Sequence, residues 1–140
     1  MQKTMPSVKR QFGDVGEEKA AEFLKKKDYR ILDRNYRLKG GEIDIVAAKI
    51  SGFLKLKVEA VVFVEVKTIK DDGSLNLAAL AAQNVHYFKQ QRLIRAAKTY
   101  LAQKKISPEI PWRIDVVLMV LNSQNNLVKI EHLENAVWGR

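Results

Sequence analysis

Four side chains stand where their types are costly, and their spacing suits one kind of chemistry. Asp44 lies in Glu42-Ile43-Asp44-Ile45-Val46. Strict alternation there puts Ile43 and Ile45 on one face and Glu42, Asp44 and Val46 on the other. Glu65 and Lys67 end the run Val58 to Lys67, whose apolar centre, Ala60 to Val64, reads as a strand covered on both faces. Two positions apart, Glu65 and Lys67 project from the same face at a spacing of ~7 Å. Glu17 falls inside the apolar arc of the first helix, between Leu24 and Ala21, whereas Glu18 points to water. A carboxylate on a buried face is destabilising unless it is paired or bound to a cation.

Two readings follow from these residues. In the structural one, Lys67 forms a buried ion pair with Glu65 or Asp44, and Glu17 leans toward the first helical turn, where the dipole favours it. Such pairs stabilise weakly, because desolvation offsets most of the Coulomb gain. In the catalytic one, Asp44 and Glu65 on adjacent strands share Mg²⁺ or Mn²⁺, hard cations that take oxygen ligands. Lys67 then holds and helps activate the attacking water. A bound cation lowers that water's pKa and neutralises charge developing on a phosphate.

The elements that must position these residues are legible from periodicity. A first helix is predicted from Asp14 to Lys27, with Gly16, Phe23, Ala20, Leu24 and Ala21 inward. Tyr29 to Arg37 reads as a strand carrying basic and aromatic residues, and Lys39-Gly40-Gly41 as a turn. Lys49 to Lys57 is predicted to be a loose hairpin around Ser51-Gly52. A long helix is predicted from Asn84 to Lys104, then a strand from Trp112 to Val120 and a late edge strand holding His132. This order predicts an α/β fold with a central mixed sheet of about five strands. The first helix covers one face and the long helix the other, or an edge.

The long helix contains no acid. Leu93, Ile94, Ala97, Tyr100 and Leu101 face the core, Arg92, Arg95 and Lys98 the opposite side, and Lys89 the border. That ridge is either a solvated face or a phosphate track. Solvating faces ordinarily mix signs, whereas phosphate binding needs one sign.

Composition narrows the function. The chain has 140 residues, 46% hydrophobic and 29% charged, which fits one globular domain. Lys plus Arg is 25 against 16 Asp plus Glu, a net charge of +9 that points to an anionic partner. Cysteine is absent, which excludes disulfides and thiolate chemistry. No apolar run approaches the roughly 20 residues that cross a bilayer, and Met1 to Arg10 holds no apolar leader stretch. The expectations are a basic flexible tail over 1–12, a single domain over 13–140, and a cytoplasmic protein without a membrane partner. His86, His132 and Trp138 read as structural, and Asp115 as a local partner of Arg113 on the same strand face. Gly13-x-x-Gly16 and Gly40-Gly41 are turn chemistry; no Gly-Lys-Ser/Thr follows either pair.

At these residues the sequence resembles the YraN-like family of bacterial proteins. That family looks like a branch of the PD-(D/E)xK nuclease superfamily, close in layout to archaeal Holliday-junction resolvases. The likeness runs through Gly13-x-x-Gly16-Glu17-x-x-Ala20, Asn35-Tyr36-Arg37, Gly41-Glu42-Ile43-Asp44-Ile45 and Val62-Phe63-Val64-Glu65-Val66-Lys67-Thr68. It continues through Lys89-Gln90-Gln91-Arg92-Leu93, Arg113-Ile114-Asp115-Val116-Val117 and Ile130-Glu131-His132-Leu133-Glu134-Asn135-Ala136.

The resemblance implies a restriction-endonuclease-like core and a metal-dependent endonuclease acting on DNA, branched or structured, with RNA as the alternative nucleic acid. It makes Asp44, Glu65 and Lys67 the catalytic residues, with Mg²⁺ or Mn²⁺ held by Glu17, Asp44 and Glu65. Arg37, Lys89, Arg92, Arg95 and Lys98 become the nucleic-acid contacts. A symmetric junction would favour a homodimer, although the sequence shows no clear dimer patch. The other reading is a binding module with this fold and no cleavage. Three departures stand out: Ile43 replaces the name-giving proline, Asp28 occupies a usual glycine position, and Ile69-Lys70 replaces an Arg. Gln83 and Tyr87 resemble a glutamine–tyrosine motif of related nucleases.

Overall fold

The computed structural model describes residues 7–71 and 87–137. Helix α1 (Val8–Lys26) leads into strands β1 (Tyr29–Leu38), β2 (Gly41–Ser51) and β3 (Lys57–Lys70). A 3-10 turn at Phe53–Lys55 joins β2 to β3. Helix α2 (Tyr87–Gln103), β4 (Trp112–Leu121) and β5 (Leu127–Leu133) follow among the described residues. The five strands form one sheet in the order β1-β2-β3-β4-β5. Only β3 and β4 run parallel, and the other neighbours are antiparallel. Parallel neighbours need a crossover, and α2 lies within it. This is the α/β mixed sheet anticipated from the sequence. No helix among the described residues is long and apolar enough to cross a membrane.

Helix α1 begins at Val8 rather than Asp14, so residues 8–12, read above as tail, are helical. The reason is Ser7, whose hydroxyl accepts a hydrogen bond from the Arg10 N–H at 3.1 Å and caps the helix. At the far end Asp28 has φ 66, the left-handed geometry for which glycine is usual. Residues 1–6, Gln83, His86 and Trp138 lie outside the described residues.

The two helices cover opposite faces of the sheet. Ala20, Ala21 and Leu24 of α1 pack on Ile45, Ala47, Val62, Val64, Val117 and Met119. Leu93, Ile94, Ala96, Ala97 and Tyr100 of α2 pack on Ile43, Val46, Val61, Phe63, Ile114 and Val116. Ala60 to Val64 are buried throughout, as a strand covered on both faces requires.

Two glycines lie where the helices meet the sheet, and one of them is required there. A Cβ on Gly16 would lie 1.8 Å from the Thr68 hydroxyl oxygen, so α1 can rest on β3 only with glycine there. Gly41 passes the α2 backbone, with its would-be Cβ 3.5 Å from the Arg92 carbonyl oxygen.

Candidate active site

The site forms where β2 and β3 part. Their pairing ends at Ile45 opposite Val64. Beyond that point Asp44 and Glu65 stand on the two prongs of a fork. The alternation expected at Ile43 and Ile45 fails here: Ile43 packs beneath α2 with Val46, and Ile45 beneath α1 with Ala47. A local irregularity lies beside it. Asn35, lying on β1 between the partners of Ile43 and Ile45, has φ 51. With its neighbours on opposite faces, Asp44 turns sideways toward β3. Its Oδ2 accepts a hydrogen bond from the Val66 N–H at 2.8 Å. The carboxylate thus takes the place of a strand partner that the fork removes.

Glu17 reaches the same carboxylate from α1. Its pKa is raised, chiefly by burial, then by Asp14 and Glu42, against a lowering hydrogen bond with Asp44. Asp44 is pushed up to about 8, by burial first, then by Glu65, Glu17 and Glu42. Neighbouring carboxylates in a poorly hydrated site cannot all ionise cheaply. Glu18, on the solvent side, pairs with Arg34 at 2.7 Å, as its place on the helix predicts.

Glu65 is only 6% exposed. Its partner is Lys89 of α2, whose ammonium contacts Oε1. The ion pair considered from sequence, Lys67 with Glu65 or Asp44, is absent among the described residues. Lys67 follows Glu65 on the α2 side of β3 by alternation, is half-buried, and makes no ion pair among them. Strand spacing points to a partner near in sequence, whereas α2 carries Lys89 across the sheet to Glu65.

Asp44 and Glu65 line a cleft of about 650 Å³ together with Glu42, Arg37, Lys89 and Arg92. Gly40 and Gly41 form its floor beside Leu38 and Leu93. Gly40 has φ +87, so this close turn needs glycine. A second groove of about 290 Å³ continues past Arg92 to Arg95. Lys98 is exposed further along α2 and lines neither cavity. Arg37 lies 3.7 Å from Glu42. Glu42 is the site residue that sequence reasoning leaves out: an acid at the cleft that raises both Glu17 and Asp44. Its signal is the two-residue spacing from Asp44.

The donor set suits a hard divalent cation in chemistry, since every acid offers carboxylate oxygens. Among the described residues, no group of three His, Cys, Asp or Glu is arranged to enclose an ion as the side chains stand. The fit rests on charge instead. Glu17 and Asp44 both resist ionisation, and a cation between the prongs would relieve that resistance.

The other buried charge, Asp115, is accounted for structurally. It accepts from Arg113 Nε at 2.9 Å, His132 Nε2 at 2.8 Å and the Asn135 N–H at 2.8 Å. Arg113 also donates to the Tyr29 hydroxyl oxygen at 2.7 Å. The local Arg113 pair and the structural His132 match the sequence reading.

The model of Uncharacterised protein family UPF0102 matches residues 16–119. A UPF0102 protein of Chloroflexus aurantiacus is 37% identical over 133 residues, covering 95% of this chain and 98% of the relative. Another, of Caldicellulosiruptor saccharolyticus, is 39% identical over 128 residues, covering 91% and 98%. A third, of Caldanaerobacter subterraneus, is 37% identical over 129 residues, covering 91% and 95%.

Proposed function

The chain belongs to the UPF0102 family, the YraN-like group its motifs resemble, and we propose that it is a metal-dependent nuclease hydrolysing phosphodiester bonds in DNA. One observation carries the proposal. Glu17, Asp44 and Glu65 come from three different elements to the fork between β2 and β3, beside a rim of Arg37, Lys89 and Arg92. Acids that repel one another beside cations that attract phosphate make a poor structural core and a good hydrolytic site.

In this reading Glu17, Asp44 and Glu65 hold Mg²⁺ or Mn²⁺. When bound, the cation supplies Lewis acidity, lowering the pKa of a water and offsetting charge on the leaving oxygen. Arg37 and Arg92 hold the phosphodiester across the cleft mouth. Arg95 and Lys98 carry the backbone onward along α2, contacts that position without reading sequence. Lys67, two residues beyond Glu65 on β3, orients the attacking water. Likeness to junction resolvases favours branched DNA, where two copies of the chain would meet a symmetric substrate.

A second reading has its own support. With Glu65 neutralised by Lys89 and no three acids arranged around an ion among the described residues, the fold can bind nucleic acid without cleaving it.

Labelled duplex, single strand, flap and four-way junction, each with Mg²⁺, Mn²⁺ or EDTA, separate the two. Metal-dependent cutting that Lys67→Ala loses is the expected result. Tight binding with no cutting by either protein refutes the nuclease in favour of the binding module.

A further inference from the structure

The contact between Lys89 and Glu65 does more than hold α2 to the sheet. That helix is already anchored by Leu93, Ile94, Ala97 and Tyr100 in the core. The need is one-sided. The Glu65 side chain is 8% exposed and must have a counter-charge, whereas the Lys89 side chain is 43% exposed and could sit in water. Lys89 also lines the cleft between Arg92 and the acids, so it can leave Glu65 without leaving the cavity.

We infer that Lys89 is the resident counter-ion of Glu65, displaced by the entering divalent cation and thereby released to the phosphate. The inference rests on the metal-site reading above. Lysine suits such an exchange, because its ammonium is a single compact charge on a flexible stem, unlike a planar guanidinium fork. Two cations cannot both take the same carboxylate oxygens at full strength. The ammonium and the metal therefore compete for Glu65, and each metal bound frees one cation for nucleic acid. Metal and phosphate backbone become coupled ligands, each raising the other's affinity.

The test is calorimetric titration of Mg²⁺ into the full chain without nucleic acid, for wild type, Lys89→Met and Lys89→Arg. Removing an ammonium in contact with a metal-binding carboxylate is worth on the order of tenfold in affinity. Lys89→Met should therefore bind Mg²⁺ about tenfold more tightly, and Lys89→Arg, whose fork grips the carboxylate harder, more weakly than wild type. A Lys89→Met that binds Mg²⁺ equally well or less well overturns the inference and leaves the metal site standing. A wild type that takes up no Mg²⁺ overturns the metal site itself, and the inference with it.

A second readout uses duplex binding in a Lys67→Ala background, which blocks turnover. Adding Lys89→Met should weaken binding severalfold in Mg²⁺ and leave it nearly unchanged in EDTA, where Glu65 holds the ammonium. Equal losses in the two conditions overturn the exchange.

Discussion

Replacing Asp44 with Asn should stabilise the metal-free protein while destroying its metal site. Asp44 is held at a pKa of about 8 against an ordinary 3.8, first by burial and then by Glu65. A group whose folded pKa is raised contributes stability fully below its unfolded pKa and loses it as pH rises through the folded value. For Asp44 that window runs from the ordinary 3.8 to about 8. At pH 7 the cost of keeping the proton approaches ~4 kcal/mol, from roughly three units at 1.36 kcal/mol each. Partial solvent access and the acids that remain reduce the recoverable share to about 1–3 kcal/mol. Asn keeps an oxygen to accept from the Val66 N–H, so the fork stays closed on that side. A gain of about 1–3 kcal/mol in a domain of this size raises Tm by roughly 3–12 °C.

The assay is thermal melting of wild type and Asp44→Asn in EDTA from pH 5 to pH 9, repeated with Mg²⁺. The advantage of Asn should be small at pH 5, widen with pH and level off above pH 8. Mg²⁺ should raise only the wild type, by mass action on a site the variant lacks, and so narrow or reverse the order. The reasoning is refuted if Asn melts below wild type at pH 8 in EDTA, or if the gap ignores pH.

Other expectations concern the elements around the site. Gly16→Ala puts a methyl carbon 1.8 Å from the Thr68 oxygen; calorimetric melting should show a loss of about 1–3 kcal/mol or more, and Thr68→Ala should recover part of it. Asp115→Asn should cost roughly 3–5 kcal/mol in urea titration at pH 7, because Arg113 and His132 are left without their carboxylate. Burial alone raises Asp115, yet hydrogen bonds from His132, Arg113 and Asn135 hold it below the usual range; its contribution is thus present above the ordinary pKa and lost as pH falls through the folded one, so the two proteins should converge in acid. Duplex affinity should fall with log salt at a slope on the order of −4, for four or five phosphates, and Arg92→Gln should reduce that slope by about 1; a flat response removes the α2 ridge from the interface.

The sequence is most informative where side-chain period and burial agree. Ala60 to Val64 reads as a two-sided strand because the residues on both faces are apolar, and it is one. Glu17 is separable from Glu18 because one helical step of 100° divides core from water. Legibility fails where tertiary contact overrides period. Asp44 leaves the alternation where β2–β3 pairing ends, beside Asn35 in left-handed geometry, and no local pattern signals either. The helix start is obscured because Lys9, Arg10 and Gln11 look like a solvated tail, although Ser7 is a recognisable cap. The partner of Glu65 lies beyond reach for another reason: a contact between β3 and α2 is a fact of topology.

The same features bear on how the acids are kept close together. A carboxylate cluster that repels itself spreads apart if its supports can yield. Here each acid stands beside a packed or hydrogen-bonded support. Glu17 sits one residue from a glycine wedged on Thr68. Asp44 is tied to the backbone of β3. Glu65 follows directly on the buried run Ala60 to Val64. The two cores on either face therefore work against the fork's electrostatics, and in the proposed function the remaining repulsion is what a bound cation would relieve. This ordering predicts which lesions separate stability from chemistry. Changes at Gly16 should lower both, because they move the support. Changes at Asp44 should raise one and abolish the other, because they remove the charge and leave the support intact.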